Sequence, residues 1–425
     1  VDDITLSDVS RASNDFYMAK DPIQAQEYTM STKVKFSRGL PNIFFAAKST
    51  NPFDGQAYAV QLNDGTKVRL FRFAGDTLFE GEMGKSINDD QYHDLVITKK
   101  KDSVQVSVDG EQCIDYKFDG VEDYYNGTPY VGVGLWDGVM EVQTLNVTTA
   151  NTLTASAKAA SQTTTYNAKS AKTLASNITV KGAKGKVTYA NASTNATAKK
   201  FKVTASNGKV SVPKATPAGS YKVIVSVKAA GEGIYKAATK KVTYTIKVAK
   251  ASVKSATIAK VTDKAYTGKK IAPAPKVTLG GVTLKKGTDY TLTYAKNVKV
   301  GTATITVTGK GNYTGTKTLK FKIVQAANKA TVKSTSVKKT FKATSLKKKA
   351  ASVALPKVTA KFGTAKWKVA TKDAKKVLSL SGSKVVVKKG AKKGTYTIKL
   401  KASVAKTANY KAATTKTVTV KVTVA

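Results

Sequence analysis

The sequence predicts an all-β protein: a two-sheet jelly roll over residues 1–150, then three smaller β-sandwiches over 151–250, 251–325 and 326–425. Three observations carry this prediction. Apolar and polar residues alternate with period two, as in Val242-Thr243-Tyr244-Thr245-Ile246-Lys247-Val248 and in Val418-Thr419-Val420-Lys421-Val422-Thr423-Val424, which is the pattern of a strand with one wet face. Gly-rich turns such as Asn63-Asp64-Gly65 and Asp109-Gly110 join neighbouring runs into hairpins. The chain after residue 150 repeats itself, strand for strand.

The first hairpin runs from Ala57-Tyr58-Ala59-Val60-Gln61-Leu62 to Lys67-Val68-Arg69-Leu70-Phe71-Arg72-Phe73. A second joins 104–108 to Ile114-Asp115-Tyr116-Lys117-Phe118, and consecutive hairpins of this kind imply a two-sheet sandwich. Further on, Tyr235-Lys236-Ala237-Ala238-Thr239 returns as Tyr410-Lys411-Ala412-Ala413-Thr414, each preceded by a Gly-led strand at Gly219 and Gly394. A shorter middle unit carries Gly301-Thr302-Ala303-Thr304-Ile305 and Asn312-Tyr313-Thr314-Gly315. No amphipathic helix is expected in the tail: Lys347-Lys348-Lys349-Ala350-Ala351 has helical propensity but no apolar stripe.

The net charge of +45 divides sharply along the chain. Residues 1–150 hold 14 basic and 23 acidic residues; the remainder holds 58 basic and only four acidic, Glu232, Asp263, Asp289 and Asp373. Every basic residue after position 150 is lysine. Such a tail suits an anionic cell-wall polymer, or serves as a solvated face that keeps the array in solution. Specific nucleic-acid recognition leans on the planar fork of arginine, so no specific nucleic-acid partner is expected. No apolar run reaches membrane-span length, and residues 1–20 lack a signal-peptide pattern. A chain that opens on Val1 and closes on a strand pattern reads as a processed piece of a longer secreted or cell-wall-associated protein.

Candidate chemistry is sparse. Cys113, the single cysteine, permits no internal disulfide, and alternation with Asp115 and Lys117 predicts a partly exposed thiol. His93, the single histidine, rules out multi-histidine metal sites and opens a predicted strand, where a structural role is expected. No Gly-x-Ser-x-Gly elbow is present. Asp137 and Glu141 would sit about 13 Å apart on an extended strand, too far for a glycosidase pair. Glu80 and Glu82 would lie about 7 Å apart, within reach of inverting chemistry, but Gly81 and Gly84 point to a turn there. No cofactor is expected; Asp2, Asp3 and Asp8 are the carboxylates for a structural Ca²⁺, without a defined loop spacing.

Sugar rings stack their C–H faces on aromatic rings and present hydroxyls to charged or amide groups. Trp136-Asp137-Gly138 offers a ring beside a carboxylate, and Tyr124-Tyr125-Asn126-Gly127 a second aromatic loop. Arg69 and Arg72 fall on opposite faces of one strand, so at most one reaches a common site. The alternative for Trp136 is core filling. The expected carbohydrate-binding set is Lys48, Tyr58, Arg69, Arg72, Glu80, Trp136 and Asp137.

The stretch from Gln56 to Phe73, then Tyr92-His93-Asp94-Leu95-Val96-Ile97, Val104 to Gly110, and Gly132-Val133-Gly134-Leu135-Trp136-Asp137-Gly138 resembles concanavalin-like lectin modules over residues 25–147. It is most similar to fructan-binding modules of carbohydrate-binding family 66 and to the sandwich that follows the propeller in family 32 glycosidases. The resemblance implies non-catalytic binding of terminal fructose in levan or inulin-type glycans. Those modules often carry Arg where this chain has Lys48 after Phe44-Phe45-Ala46-Ala47. Ala265-Tyr266-Thr267-Gly268-Lys269, Gly287-Thr288-Asp289-Tyr290 and 309–315 resemble bacterial immunoglobulin-like repeats of Gram-positive surface proteins. Together these imply a polysaccharide- or oligosaccharide-binding module on an extracellular stalk, with a structural adhesin for a host glycan or protein as the alternative.

Overall fold

A twenty-residue strand, Tyr28–Ala47, is the spine of the N-terminal sandwich in the computed structural model, which describes residues 4–8, 15–54, 56–63, 65–73, 76–119 and 127–425. For residues 4–8 and for Asp54 only the backbone is described. Eleven strands make up this curled, jelly-roll sheet. They are β1 (Ile4–Asp8), β2 (Asp15–Met18), β3 (Tyr28–Ala47), β4 (Ala57–Leu62), β5 (Lys67–Phe73) and β6 (Asp76–Glu82). There follow β7 (His93–Lys99), β8 (Ser103–Val108), β9 (Glu111–Lys117), β10 (Tyr130–Val142) and β11 (Asn146–Thr148).

β3 belongs to both layers. Its first part, Tyr28 to Val34, pairs with β7, while Asn42 to Ala47 pairs with β4 on the same edge. β10 follows its other edge, Val142 against Val34 and Leu135 against Pro41. The crossing point is a backbone irregularity. Gly39 has φ +96°, and a Cβ there would overlap the carbonyl of Asp137 on β10. Up to Phe36 the even-numbered residues of β3 face the core; at Ile43 and Phe45 the odd-numbered ones do, so the kink reverses the alternation, and a bulge after Phe44 turns Ala46 back to the core. The core so enclosed holds Met30, Val34, Phe36, Ile43, Phe45, Val60, Leu62, Leu70, Ile97, Val106 and Val133.

The expectation for Cys113 is corrected by a second irregularity. Val106 pairs with Ile114 but Ser107 with Gln112, so Cys113 is the extra residue of a bulge and turns inward beside Ile114. Its thiol is buried, donates to the Val106 carbonyl at 3.4 Å, and burial pushes its pKa up to about 11. The turn expected at Glu80 and Glu82 is also corrected: β6 continues through both. Gly81 is needed there for close approach, since a Cβ would overlap the backbone of Cys113 on β9.

His93 is nearly fully buried at the start of β7, with Nδ1 2.8 Å from Asp109 and Nε2 2.9 Å from Asp89. It thus ties the 84–92 segment to the β8–β9 turn. Burial works against the charged imidazole, yet the two carboxylates outweigh it and raise its pKa above the usual 6.5. The His93 bond holds Asp89 below the usual 3.8, and Lys85, 2.7 Å from Asp109, together with His93 does the same for Asp109. A raised histidine stabilises the fold fully below its unfolded pKa and progressively less as pH climbs through the folded value; the depressed carboxylates act in the opposite sense, below about pH 4. Hydrogen-exchange protection of β7 is therefore expected to be higher at pH 6 than at pH 7.5 after correction for intrinsic exchange, a window that stays below the value of about 8 to which burial lowers Lys99 at the other end of the strand. In His93→Gln that difference should vanish; an unchanged difference would refute the assignment.

The chain divides into two compact units, residues 1–162, 173–213 and 221–246 in one and 163–172, 214–220 and 247–425 in the other. Residues 151–250 hold a four-stranded and a three-stranded sheet. Within 251–325, the strands Lys264–Ala265, Thr316–Val324, Gly301–Gly309 and Tyr290–Ala295 form one sheet, and Thr257–Ile258, Val277–Leu279 and Val282–Thr283 another. In 326–425 the plan recurs, with Ser336–Phe341, Val418–Val424, Gly394–Val404 and Ala365–Thr371 against Ala351–Ala354, Lys384–Val387 and Leu378–Ser381. In both, the leading strand pairs parallel with the last one. One expectation fails here: Ala343–Lys348 is a short α-helix that includes Lys347 and Lys348. A single buried residue, Leu346, suffices to hold it, and the two lysines sit favourably at its C-terminal end. Among the described residues no helix is long and apolar enough to cross a membrane, and no cluster of three or more His, Cys, Asp or Glu could hold a metal ion. Asp2, Asp3, Asp64 and Tyr124 to Asn126 lie outside the described residues, as does the side chain of Asp8.

Candidate functional site

The layer β10–β3–β4–β5–β6 turns one face to the core and the other outward, and its registers decide which side chains share the outer one. Gly134 pairs with Asn42, Asn42 with Gln61, Gln61 with Arg69 and Arg69 with Glu80. Directly opposed residues of antiparallel strands share a face, so Asn42, Gln61, Arg69 and Glu80 form one polar row across four strands. Its members are bonded in two pairs, Asn42 with Gln61 and Arg69 with Glu80. Gln61 Nε2 donates to Asn42 Oδ1 at 3.1 Å, and Asn42 Nδ2 to the Leu40 carbonyl at 2.8 Å. Arg69 Nε donates to Glu80 Oε2 at 2.6 Å, while Lys67 Nζ lies 2.7 Å from Glu80 Oε1.

Aromatic rings flank this row. The neighbouring register line brings Gly132, Phe44, Ala59 and Phe71 together, and Phe73 follows beside Ala57. Phe44 and Phe73 meet at 5.3 Å, Phe53 and Phe73 at 5.0 Å, and Phe16 and Phe53 at 5.5 Å. Gly134 leaves room for them, since a Cβ there would come within 3.0 Å of the Phe44 ring, whereas one on Gly132 would overlap the Tyr17 carbonyl of β2. On the opposite flank stands Trp136, whose partner across β3 is Leu40. Phe16, Phe53 and Trp136 remain 38%, 46% and 45% exposed and, with Asn42, Phe44, Phe73, Gly134 and Asp15, line one shallow cleft. Three exposed rings beside buried amides are unusual for a sandwich surface and make a platform for a ligand with apolar faces and hydroxyls.

The expected residues divide on this face. Arg69, Glu80 and Trp136 lie on it. Asp137 adjoins Trp136 in the irregular segment between the pairs Trp136–Leu40 and Val139–Arg38, with φ +51°. Arg72 is on the other face, as the alternation implied, hydrogen-bonded to Asp76 and to Tyr58. Tyr58 is corrected: only 2% exposed, its ring meets Phe118 at 5.6 Å and Phe45 at 6.5 Å inside the core. The small Ala57 and Ala59 face the aromatic strip, so the tyrosine between them must face inward. Lys48 is exposed beyond the end of β3. Sequence reasoning missed Asn42, Gln61, Phe16 and Phe53. The turn at 63–65 made Gln61 and Arg69 parts of one hairpin, but the observed register of Gln61 opposite Arg69 comes from a longer loop, and nothing local linked either to Asn42.

Electrostatically, Glu80 is a committed partner of two cations. Hydrogen bonds from Lys67 and Arg69 hold its pKa below the ordinary 4.5. A general acid for glycoside cleavage requires the reverse shift. Glu82, opposite Lys67, shares the same face.

No family model matches the chain. Over 148 residues it is 49% identical to a fructan beta-fructosidase of Streptococcus mutans serotype c (strain ATCC 700610 / UA159), a match covering 35% of this chain and 10% of that one. The chain thus spans about a tenth of the length of the curated relative it matches. Among solved structures it is similar to a carbohydrate-binding module of family 66 from Bacillus subtilis, at 16% identity and TM-score 0.26, covering 32% of this chain and 81% of that one. A Bacteroides ovatus family 16 glycoside hydrolase solved with a tetrasaccharide product is similar at 10% identity and TM-score 0.26, over 32% of this chain and 73% of that one. The 49% identity to part of a fructan beta-fructosidase agrees with the resemblance read from the motifs, to fructan-associated sandwich modules.

Proposed function

We propose that residues 1–150 form a non-catalytic module that binds a neutral glycan, terminal fructose of levan or inulin first, through the outer face of β10–β3–β4–β5–β6. The observation that carries this reading is the polar row Asn42–Gln61–Arg69–Glu80 set between exposed Trp136 and the Phe16–Phe53–Phe73 strip. Sugar hydroxyls find amide, guanidinium and carboxylate partners there, and ring C–H faces find aromatic surface. The low pKa of Glu80 and its two cationic partners argue for binding without cleavage. The 49% identity to part of a fructan beta-fructosidase makes fructan the first ligand to test.

Residues 151–250, 251–325 and 326–425 are, in this proposal, three repeats of an extracellular stalk. Their lysines face water with few acids to offset them. In the last repeat Lys338 lies opposite Lys421, and Lys368 opposite Lys401. Asp373 is buried and accepts from the backbone N–H groups of Val377 and Leu378 at 2.7 and 3.0 Å, so it leaves those lysines uncompensated. Such faces suit an anionic wall polymer, held by counterion release and therefore weakened by salt. Titration calorimetry of the whole chain with a linear fructan, and separately with a teichoic polymer at rising salt, tests both parts. Fructan binding without reducing-sugar release, and polymer binding that fades with salt, are expected. Sugar release abolished by Glu80→Gln would replace the binding module by a hydrolase, and absent polymer binding at low salt would leave the lysines to solubility.

A further inference from the structure

The tyrosine motif that recurs along the tail, in Tyr235-Lys236, Asn312-Tyr313-Thr314 and Tyr410-Lys411, lies outside the proposed sugar-binding face, and its three copies make the same kind of contact. Each pairs in parallel with the residue that leads into its own repeat: Thr149 with Tyr235, Ala251 with Tyr313 and Ala326 with Tyr410. The hydrogen bonds agree. Thr149 N donates to the Ile234 carbonyl at 2.7 Å, Ala251 N to Asn312 at 3.0 Å and Ala326 N to Asn409 at 2.9 Å. Lys236 N and Lys411 N return the bond to the carbonyls of Thr149 and Ala326 at 2.8 and 2.9 Å.

The same tyrosines reach backward into the preceding module. Tyr235 Oη donates to the Gln24 carbonyl of the N-terminal sandwich at 3.0 Å, and Ile234 packs against that sandwich's core. The Tyr313 ring meets Tyr166 edge-on at 5.3 Å, and the Tyr410 ring meets Tyr266 edge-on at 5.6 Å. Tyr166 and Tyr266 are themselves placed alike. The N–H of Tyr166 bonds the carbonyl of Ala249, two residues before Ala251, and that of Tyr266 the carbonyl of Val324, two residues before Ala326. A fixed two-residue step therefore separates the site that holds one ring from the site that holds its partner. At the corresponding place in the last repeat, where the N–H bonds the carbonyl of Ala425, the residue is Ala343.

We infer that Tyr235 and Tyr410 are joints: each fastens the lead-in strand of its own repeat and grips the module before it, so that the two modules it joins are held together instead of swinging on their linker. This goes beyond the proposed glycan and polymer binding and does not depend on it. A single residue between the two anchored positions limits the swing, and an edge-to-face pair holds the remaining freedom; a pair of ordinary strength shifts a docked-to-undocked equilibrium about two- to tenfold.

Tyr266→Ala and Tyr266→Phe in the full chain test the joint at the last repeat, since Tyr266 is half-buried and only borders the core of its own repeat. A third variant, with two glycines inserted after Val324, lengthens the step without altering any side chain. The readouts are amide relaxation, which reports whether 251–325 and 326–425 tumble together, and the rate of tryptic cleavage at Lys329. Shared tumbling is expected in the parent and in Tyr266→Phe. In Tyr266→Ala and the glycine variant the two should tumble separately, with cleavage about two- to tenfold faster. Independent tumbling in the parent, or shared tumbling in the glycine variant, would overturn the inference. Should Tyr266→Ala lose the amide dispersion of a folded repeat, the glycine variant decides alone.

Discussion

Trp136→Ala should abolish measurable fructan binding, a loss of about 30-fold or more, while leaving the melting temperature of the N-terminal sandwich within about 2 °C of the parent. The expectation rests on where the ring sits. Trp136 is 45% exposed, beside two glycines of β10 and across from Leu40, on the face that carries Asn42 and Gln61. Removing it opens no cavity in the core of Met30, Phe36, Phe45 and Val133, so the about 3–5 kcal/mol cost of truncating a buried aromatic does not apply. What is lost is a stacking surface next to polar groups already bonded to one another. Calorimetry with a short linear fructan and a thermal melt of the same sample separate the outcomes. Retained binding would remove Trp136 from the site; a large fall in melting temperature would assign it to the fold instead.

Gly39→Ala should have the opposite profile, a loss of about 3 kcal/mol in stability together with loss of binding. Two costs add. An L-residue with a side chain at φ +96° is strained by about 1–2 kcal/mol, and its Cβ would overlap the Asp137 carbonyl, forcing β3 and β10 apart at a further about 1–3 kcal/mol. For a domain of this size the melting temperature should fall by about 6–12 °C. Binding should suffer because the segment displaced is the one that aims Trp136 and Asp137. Gly110→Ala is the matched control: φ is +81° there too, but nothing lies within 4 Å of the added Cβ, so only the backbone strain is paid. Equal effects of the two substitutions on melting would show that the close approach of β3 and β10 does not matter.

The architecture was legible because strands with one wet face write their period directly into the sequence. Alternation in Val418–Val424 and in Val242 to Val248, with glycine at each turn, required an all-β chain. Arg69 and Arg72 were correctly separated by the same two-residue rule. That rule fails wherever a strand gains a residue. Cys113 turned inward because of the bulge between β8 and β9, and the core-facing parity of β3 reversed at Gly39; neither irregularity has a local signature. Tyr58 was misplaced for a related reason, since its direction is set by which face the aromatic strip covers.

The candidate site was half legible. Arg69, Glu80, Trp136 and Asp137 stand in conspicuous polar or aromatic contexts, whereas Asn42 and Gln61 sit in apolar strands and Phe16 and Phe53 in short segments without a pattern. A polar row across β3, β4, β5 and β6 is a property of register between strands far apart in sequence. Local composition determined what each strand is and which of its faces is wet. Only tertiary pairing decided which residues of different strands stand side by side, because side-chain proximity across a sheet depends on long-range hydrogen-bond register and on bulges that single-strand periodicity does not encode.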